Sequence, residues 1–327
     1  MSAAGTIGVV VIGRNEGERL RRCLQSVSGR SAAIVYVDSG STDGSADAAR
    51  SLDARVVLLD ASQPFTAAKA RNAGFEALVV WRPEVELVQF VDGDCEVVAG
   101  WLDRATDFLA THPDVVVVCG RRRERDPARS VYNRLCDLEW DTPVGEALAC
   151  GGDAMMRADA FRRVGGFRAD LIAGEEPELC VRLRGQGGRI WRLDAEMTLH
   201  DAAMTRFAQW WRRTMRGGYA FAEGASLHGA PPERHWVRES RSAWLWGCVL
   251  PLVVLVAAIT VDARALWALA VYPLQVARLF AKGSGPVGQR AARAFFLVVG
   301  KFAEAAGQLR FTAHRLAGAR GRLIEYK

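Results

Sequence analysis

Apolar runs alternate with segments of helical spacing along roughly the first 120 residues, and this alternation limits the folds open to the chain. The apolar runs have the length of buried strands and occupy residues 7–12, 33–37, 55–59, 87–91 and 115–119. Residues 16–27, 65–80 and 101–110 carry apolar side chains at helical spacing, and a short helix reaches Leu52. Strands that alternate with helices predict an α/β domain, with a mostly parallel, Rossmann-like sheet and helices on both faces.

Polar side chains follow three of the predicted strands at the point where each strand ends. They are Arg14, Asn15 and Glu16 after the first strand, Asp38 after the second, and Asp92 and Asp94 after the fourth. In open α/β sheets, ligands bind in the crevice beyond the carboxyl ends of the strands. Two aspartates separated by one glycine can share a Mg²⁺ or Mn²⁺ ion, since these ions prefer oxygen ligands. Such an ion can neutralise the diphosphate of a nucleotide.

The glycine-rich signatures of common nucleotide-binding folds are missing. A dinucleotide fold needs G-x-G-x-x-G after the first strand, where this chain has Gly13-Arg14-Asn15-Glu16-Gly17. A Walker A lysine motif is also absent from the sequence. We therefore expect carboxylates to hold the base and ribose of a nucleotide, with a metal ion on its phosphates.

Cysteine usage and the N-terminus both favour a reducing compartment. The seven cysteines are scattered and form no C-x-x-C pair, which argues against a disulfide framework and a zinc site. The apolar run near the N-terminus is too short for a signal sequence and has no basic segment before it. We therefore expect the N-terminal domain to stay in the cytoplasm.

An uncharged stretch near the C-terminus predicts attachment to a membrane. Residues 243–261 are nineteen residues without a charge, close to the ~20 that cross a bilayer, and Trp244 and Trp246 resemble interfacial anchors. The shorter apolar run 265–277, which contains Pro273, predicts the return arm of a hairpin or an interfacial segment. A buried core helix is the alternative.

The tail that follows is strongly basic. From Arg278 to the end there are ten lysines and arginines and two acids, a local net charge of +8. This charge predicts a polyanionic partner. Because no nucleic-acid motif accompanies it, we expect an anionic membrane surface and no nucleic acid. Residues 289–316, with Phe295, Phe296, Val299 and Phe302 among basic residues, predict an amphipathic helix on anionic lipid. A hairpin would place this tail on the cytoplasmic side.

A series of motifs in order resembles a known enzyme family. The motifs are VVVIGRNEGERLRRCLQSV, VDSGSTDGS, AKARNAGF, FVDGDCEV, GGDAMMRADAFRRVGGF, GEEPELCVRLR and TLHD, within about residues 5–225. They resemble the family 2 inverting glycosyltransferases, of the membrane-associated bacterial type, which have the GT-A fold. The resemblance implies that one sugar, of the hexose type, passes from a nucleoside diphosphate to an acceptor hydroxyl with inversion. Together with the apolar and basic segments near the C-terminus, the resemblance predicts a catalytic domain at 1–230, followed by a hydrophobic hairpin and basic tail at 231–327.

The same resemblance implies roles for individual residues. Asp38 and Asp92 correspond to contacts with the nucleoside, and Asp94 corresponds to the ligand of a divalent cation, Mn²⁺ or Mg²⁺. Positions near the nucleotide in relatives are occupied here by Arg14, Glu16 and Arg71. His200 can complete the metal shell, since imidazole is a reasonable ligand for Mn²⁺, and an ordinary histidine at a strand end is the alternative.

The transfer needs a base for the proton of the acceptor hydroxyl. Relatives usually carry Glu-Asp at the start of a helix here, with the aspartate as base, and this chain has Glu175-Glu176. We assign the base to Glu176, with Glu175 as the open alternative. Acids in a first helical turn can also merely complement the helix dipole.

The segment 207–217 resembles the Q-x-x-R-W region of polymerising relatives. Gln209 and Arg212 match, but Arg213 stands where the tryptophan belongs, so we predict the addition of a single sugar. The predicted acceptor is a lipid-linked or cell-surface glycan of polysaccharide biosynthesis, at the cytoplasmic face of the inner (plasma) membrane. Two alternatives are a sugar-phosphate nucleotidyltransferase and a non-catalytic, membrane-associated protein that binds nucleotide sugars.

Overall fold

Nine strands form one mixed sheet in the computed structural model, which describes residues 6–31, 33–60, 62 and 65–318. The strands are β1 (Ile7–Gly13), β2 (Ala33–Asp38), β3 (Arg55–Leu58), β4 (Leu87–Asp92), β5 (Cys95–Val97), β6 (Val115–Glu124), β7 (Gly145–Ala147), β8 (Ala154–Arg157) and β9 (Arg189–His200). Consecutive residues of the central strands are buried, so both faces of the sheet are covered.

Within the described residues, seven α-helices accompany this sheet and five follow it. The first seven are α1 (Glu18–Val27), α2 (Ser45–Ser51), α3 (Ala67–Trp81), α4 (Trp101–Thr111), α5 (Val131–Glu139), α6 (Ala158–Arg163) and α7 (Glu175–Gly185). The later five are α8 (Phe207–His228), α9 (Val237–Trp244), α10 (Leu250–Thr260), α11 (Val271–Lys282) and α12 (Val287–Leu316). The predicted α/β fold class is confirmed.

The order of the strands is β3-β2-β1-β4-β8-β6-β9-β5, and β7 pairs with β9. The predicted parallel arrangement holds for β1 to β4, and β6 runs parallel to β9. Strand β8 is antiparallel to its neighbours β4 and β6, and β5 and β7 are antiparallel to β9. The sheet is therefore more mixed than expected, because the region after residue 121 supplies three strands that show no regular sequence pattern.

Helix α3 packs directly against the centre of the sheet because Gly74 has no side chain. A Cβ atom at this position would lie only 2.4 Å from Cγ1 of Val10 on β1 and 2.9 Å from Cγ2 of Val37 on β2. This close approach brings Arg71, one turn earlier on the same helix, beneath the carboxyl ends of the strands. The packing of α3 against the sheet thus positions Arg71, one of the predicted nucleotide-site residues.

The chain divides into two compact units between Ala203 and Met204, so α8 belongs to the second unit. In that unit, a π-helical turn, Leu245–Val249, joins α9 to α10. The resulting continuous stretch Val237–Thr260 is the only helix of the described chain that is long and apolar enough to cross a membrane. The run 265–277 forms a 3₁₀ helix, Ala263–Ala270, and then enters α11. The predicted hairpin and the functional division at residue 230 stay predictions.

Helix α12 covers the predicted basic amphipathic segment but does not present its whole apolar face to solvent. The ring of Phe296 lies 4.8 Å from that of Trp210 on α8, and Phe302 lies 5.3 Å from Tyr272 on α11. The helix also approaches α8 closely, since a Cβ atom at Gly307 would lie 2.0 Å from the carbonyl oxygen of Met215. Part of the face that we expected on lipid therefore stabilises this helical unit instead.

Candidate functional site

The register of the central strands brings two predicted aspartates to the same edge of the sheet. Strand β1 lies between β2 and β4, and it pairs Gly13 with Asp38 and Ile12 with Asp92. Both carboxylates therefore lie at the carboxyl ends of the two parallel strands that flank β1, where α/β sheets bind ligands.

Asp38 is buried and tightly held. Its carboxylate accepts hydrogen bonds from the Tyr36 hydroxyl at 3.0 Å and from the backbone N–H groups of Gly40 and Ser41 at 3.2 and 2.8 Å. The neighbouring loops are joined because the side chain of Asn15 accepts a hydrogen bond from the Thr42 N–H at 2.8 Å. This edge is therefore organised before any ligand binds.

Two further predicted residues lie on the loop after β1. Arg14 is exposed, and its guanidinium lies 5.8 Å from the ring centre of Phe65. Glu16 forms an ion pair with Arg19 at 2.7 Å. The two side chains thus point to different partners at the rim of the same edge.

Arg71 is the buried centre of an acidic cluster. Its guanidinium lies 2.7 Å from Asp92, 2.9 Å from Glu175 and 3.0 Å from Glu176. Burial alone would lower the pKa of Arg71, but the three carboxylates outweigh it and raise that pKa. The structure therefore unites Arg71, Asp92 and Glu176, which stand far apart in the sequence.

The carboxylates of this cluster have opposite pKa shifts. Burial favours a raised pKa for Asp92, but Arg71 and Arg122 outweigh it and hold that pKa well below its usual range. Burial, followed by the charge of Glu175, raises the pKa of Glu176 to about 7, although Arg71 opposes this. A permanently charged carboxylate thus lies beside one that titrates near neutral pH, a combination typical of catalytic sites.

Asp153 and Arg122 belong to this cluster and were not predicted as site residues. The carboxylate of Asp153 is buried and accepts hydrogen bonds from Arg122 at 2.9 Å, from Thr198 at 2.7 Å and from the Asp92 N–H at 3.0 Å. Arg122 also reaches Asp92 at 3.3 Å. The only sequence signal was that Asp153 lies in the motif GGDAMMRADAF.

Asp94 and His200 come together from different parts of the chain. Cys95 on β5 pairs with His200 on β9, and Nε2 of His200 lies 3.4 Å from Oδ2 of Asp94. Both side chains are buried, and one ligand atom each from Asp94, Cys95 and His200 lie within 4.8 Å of one another. Burial raises the pKa of Cys95, so this thiol stays protonated. Asp94 and His200 form an oxygen and nitrogen donor pair of the kind that can ligate a divalent cation.

Gln209 lies in the second unit and has a local role. Its side-chain oxygen accepts hydrogen bonds from the backbone N–H groups of Thr205 and Arg206, both at 3.0 Å. It therefore stabilises the start of α8, which accounts for one of the two residues that match the Q-x-x-R-W pattern.

The family of the chain follows from comparison with known proteins. Residues 8–165 match the family described as Glycosyl transferase family 2. The chain carries a family 2 glycosyltransferase domain. The matched residues include Asp38, Arg71, Asp92 and Asp94. The match favours a glycosyltransferase over a sugar-phosphate nucleotidyltransferase and over a non-catalytic protein that binds nucleotide sugars.

Known proteins with similar sequences come from several organisms. Glycosyltransferase AglE of Haloferax volcanii is 25% identical over 195 residues, which are 55% of this chain and 62% of that protein. Succinoglycan biosynthesis protein ExoA of Rhizobium meliloti is 30% identical over 189 residues, 54% of this chain and 55% of that protein. The pre-mycofactocin glycosyltransferase of Mycobacterium tuberculosis is 28% identical over 237 residues, which are 65% of this chain and 46% of that protein. The chain thus spans about half the length of these relatives.

Solved structures show the same fold. The mannosyltransferase PcManGT from Pyrobaculum calidifontis, in complex with GDP-Man and Mn²⁺, has a TM-score of 0.59 at 20% identity, over 95% of this chain and 88% of that chain. S. aureus TarS 1–349 has a TM-score of 0.52 at 16% identity, over 95% of this chain and 92% of that chain. The predicted GT-A fold of this glycosyltransferase is confirmed.

Proposed function

We propose that this glycosyltransferase moves one hexose from a nucleoside-diphosphate sugar to an acceptor hydroxyl, with inversion at the anomeric carbon. The proposal rests on the environment of Glu176. This carboxylate lies beside the buried Arg71, and its pKa of about 7 makes it a base at neutral pH. Its side chain is 16% exposed, whereas that of Glu175 is 8% exposed, so Glu176 is the more accessible carboxylate.

The donor binds along the edge of the sheet. Asp38 and Asp92 contact the nucleoside, and the neighbouring Arg14, Glu16 and Arg71 complete the nucleotide site. Asp38 is suited to this task because three hydrogen bonds already fix its orientation. Arg71 and Arg122 keep Asp92 charged, so it remains an acceptor for hydroxyl or N–H donors of the nucleoside.

In the chemical step, Glu176 takes the proton of the acceptor hydroxyl as its oxygen attacks the anomeric carbon. The bond from this carbon to the diphosphate oxygen breaks, and the diphosphate leaves from the opposite face. Asp94 and His200 would hold a divalent cation, Mn²⁺ or Mg²⁺, which when bound neutralises charge on the departing diphosphate. The complex of PcManGT with GDP-Man and Mn²⁺ supports this choice of cofactor.

The nucleotide-sugar donor should be identifiable because its binding stabilises the folded chain. A ligand that binds only the native state raises its stability by RT ln(1 + [L]/Kd), about 2.7 kcal/mol at 100 times Kd. We expect one nucleoside diphosphate, and its sugar, to raise the melting temperature by several degrees with Mn²⁺ and by less with EDTA. A screen of nucleoside diphosphates by differential scanning fluorimetry measures this. If no nucleotide shifts the melting temperature in either condition, the proposal is wrong.

We further propose that the acceptor is lipid-linked or part of a cell-surface glycan, and that the catalytic domain works at the cytoplasmic face of the inner (plasma) membrane. The helix Val237–Thr260 has a mean hydropathy of 2.2 and is mostly unburied. Its exposed apolar side chains include Val253 and Ile259, at 60% and 76% exposure. The basic tail supports contact with anionic lipid. The name of ExoA supports a place in polysaccharide biosynthesis.

Charges placed on this exposed face should release the chain from membranes. An aspartate costs about 2.5–3.5 kcal/mol near the centre of a membrane helix, where Val253 lies, and less toward the end, where Ile259 lies. We expect the wild-type chain to remain in the membrane fraction after a carbonate wash, and the double variant Val253→Asp, Ile259→Asp to become soluble. Val287→Asp is the control, because Val287 is 66% exposed on another helix. Release of the wild-type chain by carbonate would contradict membrane anchoring.

A further inference from the structure

A buried carboxylate that the proposed mechanism does not use lies beside His200. Glu124 is the last residue of β6, and the parallel register places it directly opposite His200 on β9. Its side chain has no solvent exposure, and its Oε2 atom lies 3.5 Å from Nδ1 of His200. The two side chains therefore face each other from adjacent strands.

Glu124 is fixed from the side away from the histidine. Its Oε1 atom accepts hydrogen bonds from the side chain of Asn133 at 3.1 Å and from the Asp126 N–H at 3.3 Å. Its Oε2 atom accepts a hydrogen bond from the Ala202 N–H at 3.0 Å. These donors hold the carboxylate in one orientation, with Oε2 toward His200.

The imidazole of His200 lies between two carboxylates. Nδ1 is buried and forms no hydrogen bond within the usual limits in the described part of the chain, and Oε2 of Glu124 lies close by. Nε2 faces Oδ2 of Asp94 at 3.4 Å, and the ring of Trp140 packs edge-on against the imidazole at 4.7 Å. The ring is therefore confined on three sides.

The chemistry of these neighbours selects one tautomer when a cation is bound. An ionised carboxylate only accepts hydrogen bonds, so Glu124 favours a proton on Nδ1 and Asp94 favours one on Nε2. A cation shared by Asp94 and Nε2 takes the place of the Nε2 proton, and the proton on Nδ1 remains. A carboxylate behind a ligating histidine is a recurrent way to fix the tautomer and orientation of the ring.

We propose that Glu124 is a positioning residue for the cation site of this enzyme. It accepts the Nδ1 proton of His200 and thereby presents Nε2, together with Asp94, to a divalent cation. This inference rests on the metal site of the proposed function, and it assigns the orientation of His200 to a residue that contacts neither the nucleotide sugar nor the ion.

Glu124→Gln should reverse the tautomer. Two donors, Asn133 and Asp126, contact Oε1, whereas Ala202 alone donates to Oε2. The amide oxygen therefore takes the Oε1 position, and the amide nitrogen takes the position that faces His200 and loses the bond from Ala202. That N–H donates to Nδ1 and moves the ring proton to Nε2, toward Asp94. We expect the affinity for Mn²⁺, measured by the electron paramagnetic resonance signal of free Mn²⁺ with a nucleoside diphosphate present, to fall about 10- to 100-fold.

The tautomer itself can be observed in the full-length, metal-free chain. The protein has five histidines, so ¹⁵N-histidine NMR, assigned by comparison with His200→Ala, resolves the ring nitrogens of His200. We expect Nδ1 to carry a proton in the wild-type chain and to carry none in Glu124→Gln. A wild-type Nδ1 without a proton overturns the inference, and this test does not depend on the folding of any variant at residue 124.

Two further variants separate this inference from the proposed function. Glu196→Gln removes the same charge from an exposed position on β9, so we expect wild-type affinity for Mn²⁺. Asp94→Asn should lose Mn²⁺ while His200 keeps its Nδ1 proton. If the wild-type chain binds no Mn²⁺ with any nucleotide, the proposed metal site is wrong. If the wild-type chain binds Mn²⁺ and Glu124→Gln binds it equally well, only the role of Glu124 is wrong.

Discussion

Replacement of Glu176 by glutamine is expected to lower the turnover number about 100- to 10,000-fold, the usual contribution of a general base. Glutamine cannot take the proton of the acceptor hydroxyl, yet it has almost the same shape as the protonated acid. Because the pKa of Glu176 is about 7, this protonated form is already abundant at neutral pH. We therefore expect the affinity for the donor to change little, as measured by calorimetry beside initial rates.

The same residue sets the expected dependence of the rate on pH. Only the ionised form of Glu176 can act as a base, so activity rises as the pH rises through its pKa. Below about pH 7 the rate should fall about tenfold per pH unit, and above this value it should level off. In Glu176→Gln this limb of the profile should disappear. A wild-type profile that is flat between pH 5 and pH 8 would contradict the assignment.

Glu175→Gln is the matched comparison for Glu176→Gln. Glu175 forms a hydrogen bond with Arg71 at 2.9 Å and is buried at the start of α7, so its charge raises the pKa of Glu176 rather than meeting the acceptor. We expect Glu175→Gln to retain turnover and to shift the acid limb toward lower pH. Full activity of Glu176→Gln together with loss of activity in Glu175→Gln would transfer the role of base to Glu175.

The second large effect is expected from Gly152→Ala. A Cβ atom at Gly152 would lie 2.3 Å from the Arg71 guanidinium, 2.9 Å from Asp92 and 3.1 Å from Glu176. Arg71 cannot move aside cheaply, because it is buried and pairs with three carboxylates. Breaking one buried pair costs about 3–5 kcal/mol. We expect donor affinity and turnover each to fall at least about 100-fold, measured by calorimetry and initial rates.

Gly151→Ala provides the control for this substitution. A Cβ atom at Gly151 meets no atom within 4 Å, so the same chemical change one residue earlier should leave affinity and turnover near wild-type values. Circular dichroism and the melting temperature show whether Gly152→Ala remains folded. Wild-type transfer by folded Gly152→Ala would mean that the cluster is not part of the reaction site.

Much of the sheet edge could be predicted from local sequence. The apolar runs that end at Asp38 and Asp92 are short and continuous, and such runs between helices are typical of buried parallel strands. Parallel strands end at a common edge, so the proximity of these two aspartates follows from the pattern alone. The pair Asp92 and Asp94 was therefore recognisable as a candidate site before any tertiary contact was known.

The partners of these aspartates could not be predicted in the same way. Strand β8 inserts between β4 and β6 in the antiparallel sense, and this places Asp153 and Arg122 against Asp92. Asp153 has only its place in a motif as a local signal and Arg122 has none, because their proximity to Asp92 depends on pairing between segments distant in the chain. Glu124 and His200 meet for the same reason, across the pairing of β6 with β9.

The sequence by itself determined the α/β class, the family and the order of the motifs, because periodicity and motif spacing are properties of neighbouring residues. It also indicated Asp94 and Glu176 through resemblance. Only the tertiary structure decided the ionisation of the acidic cluster, since burial and the positions of Arg71 and Glu175 raise the pKa of Glu176. Charge and desolvation act through space, over distances that a linear sequence does not contain.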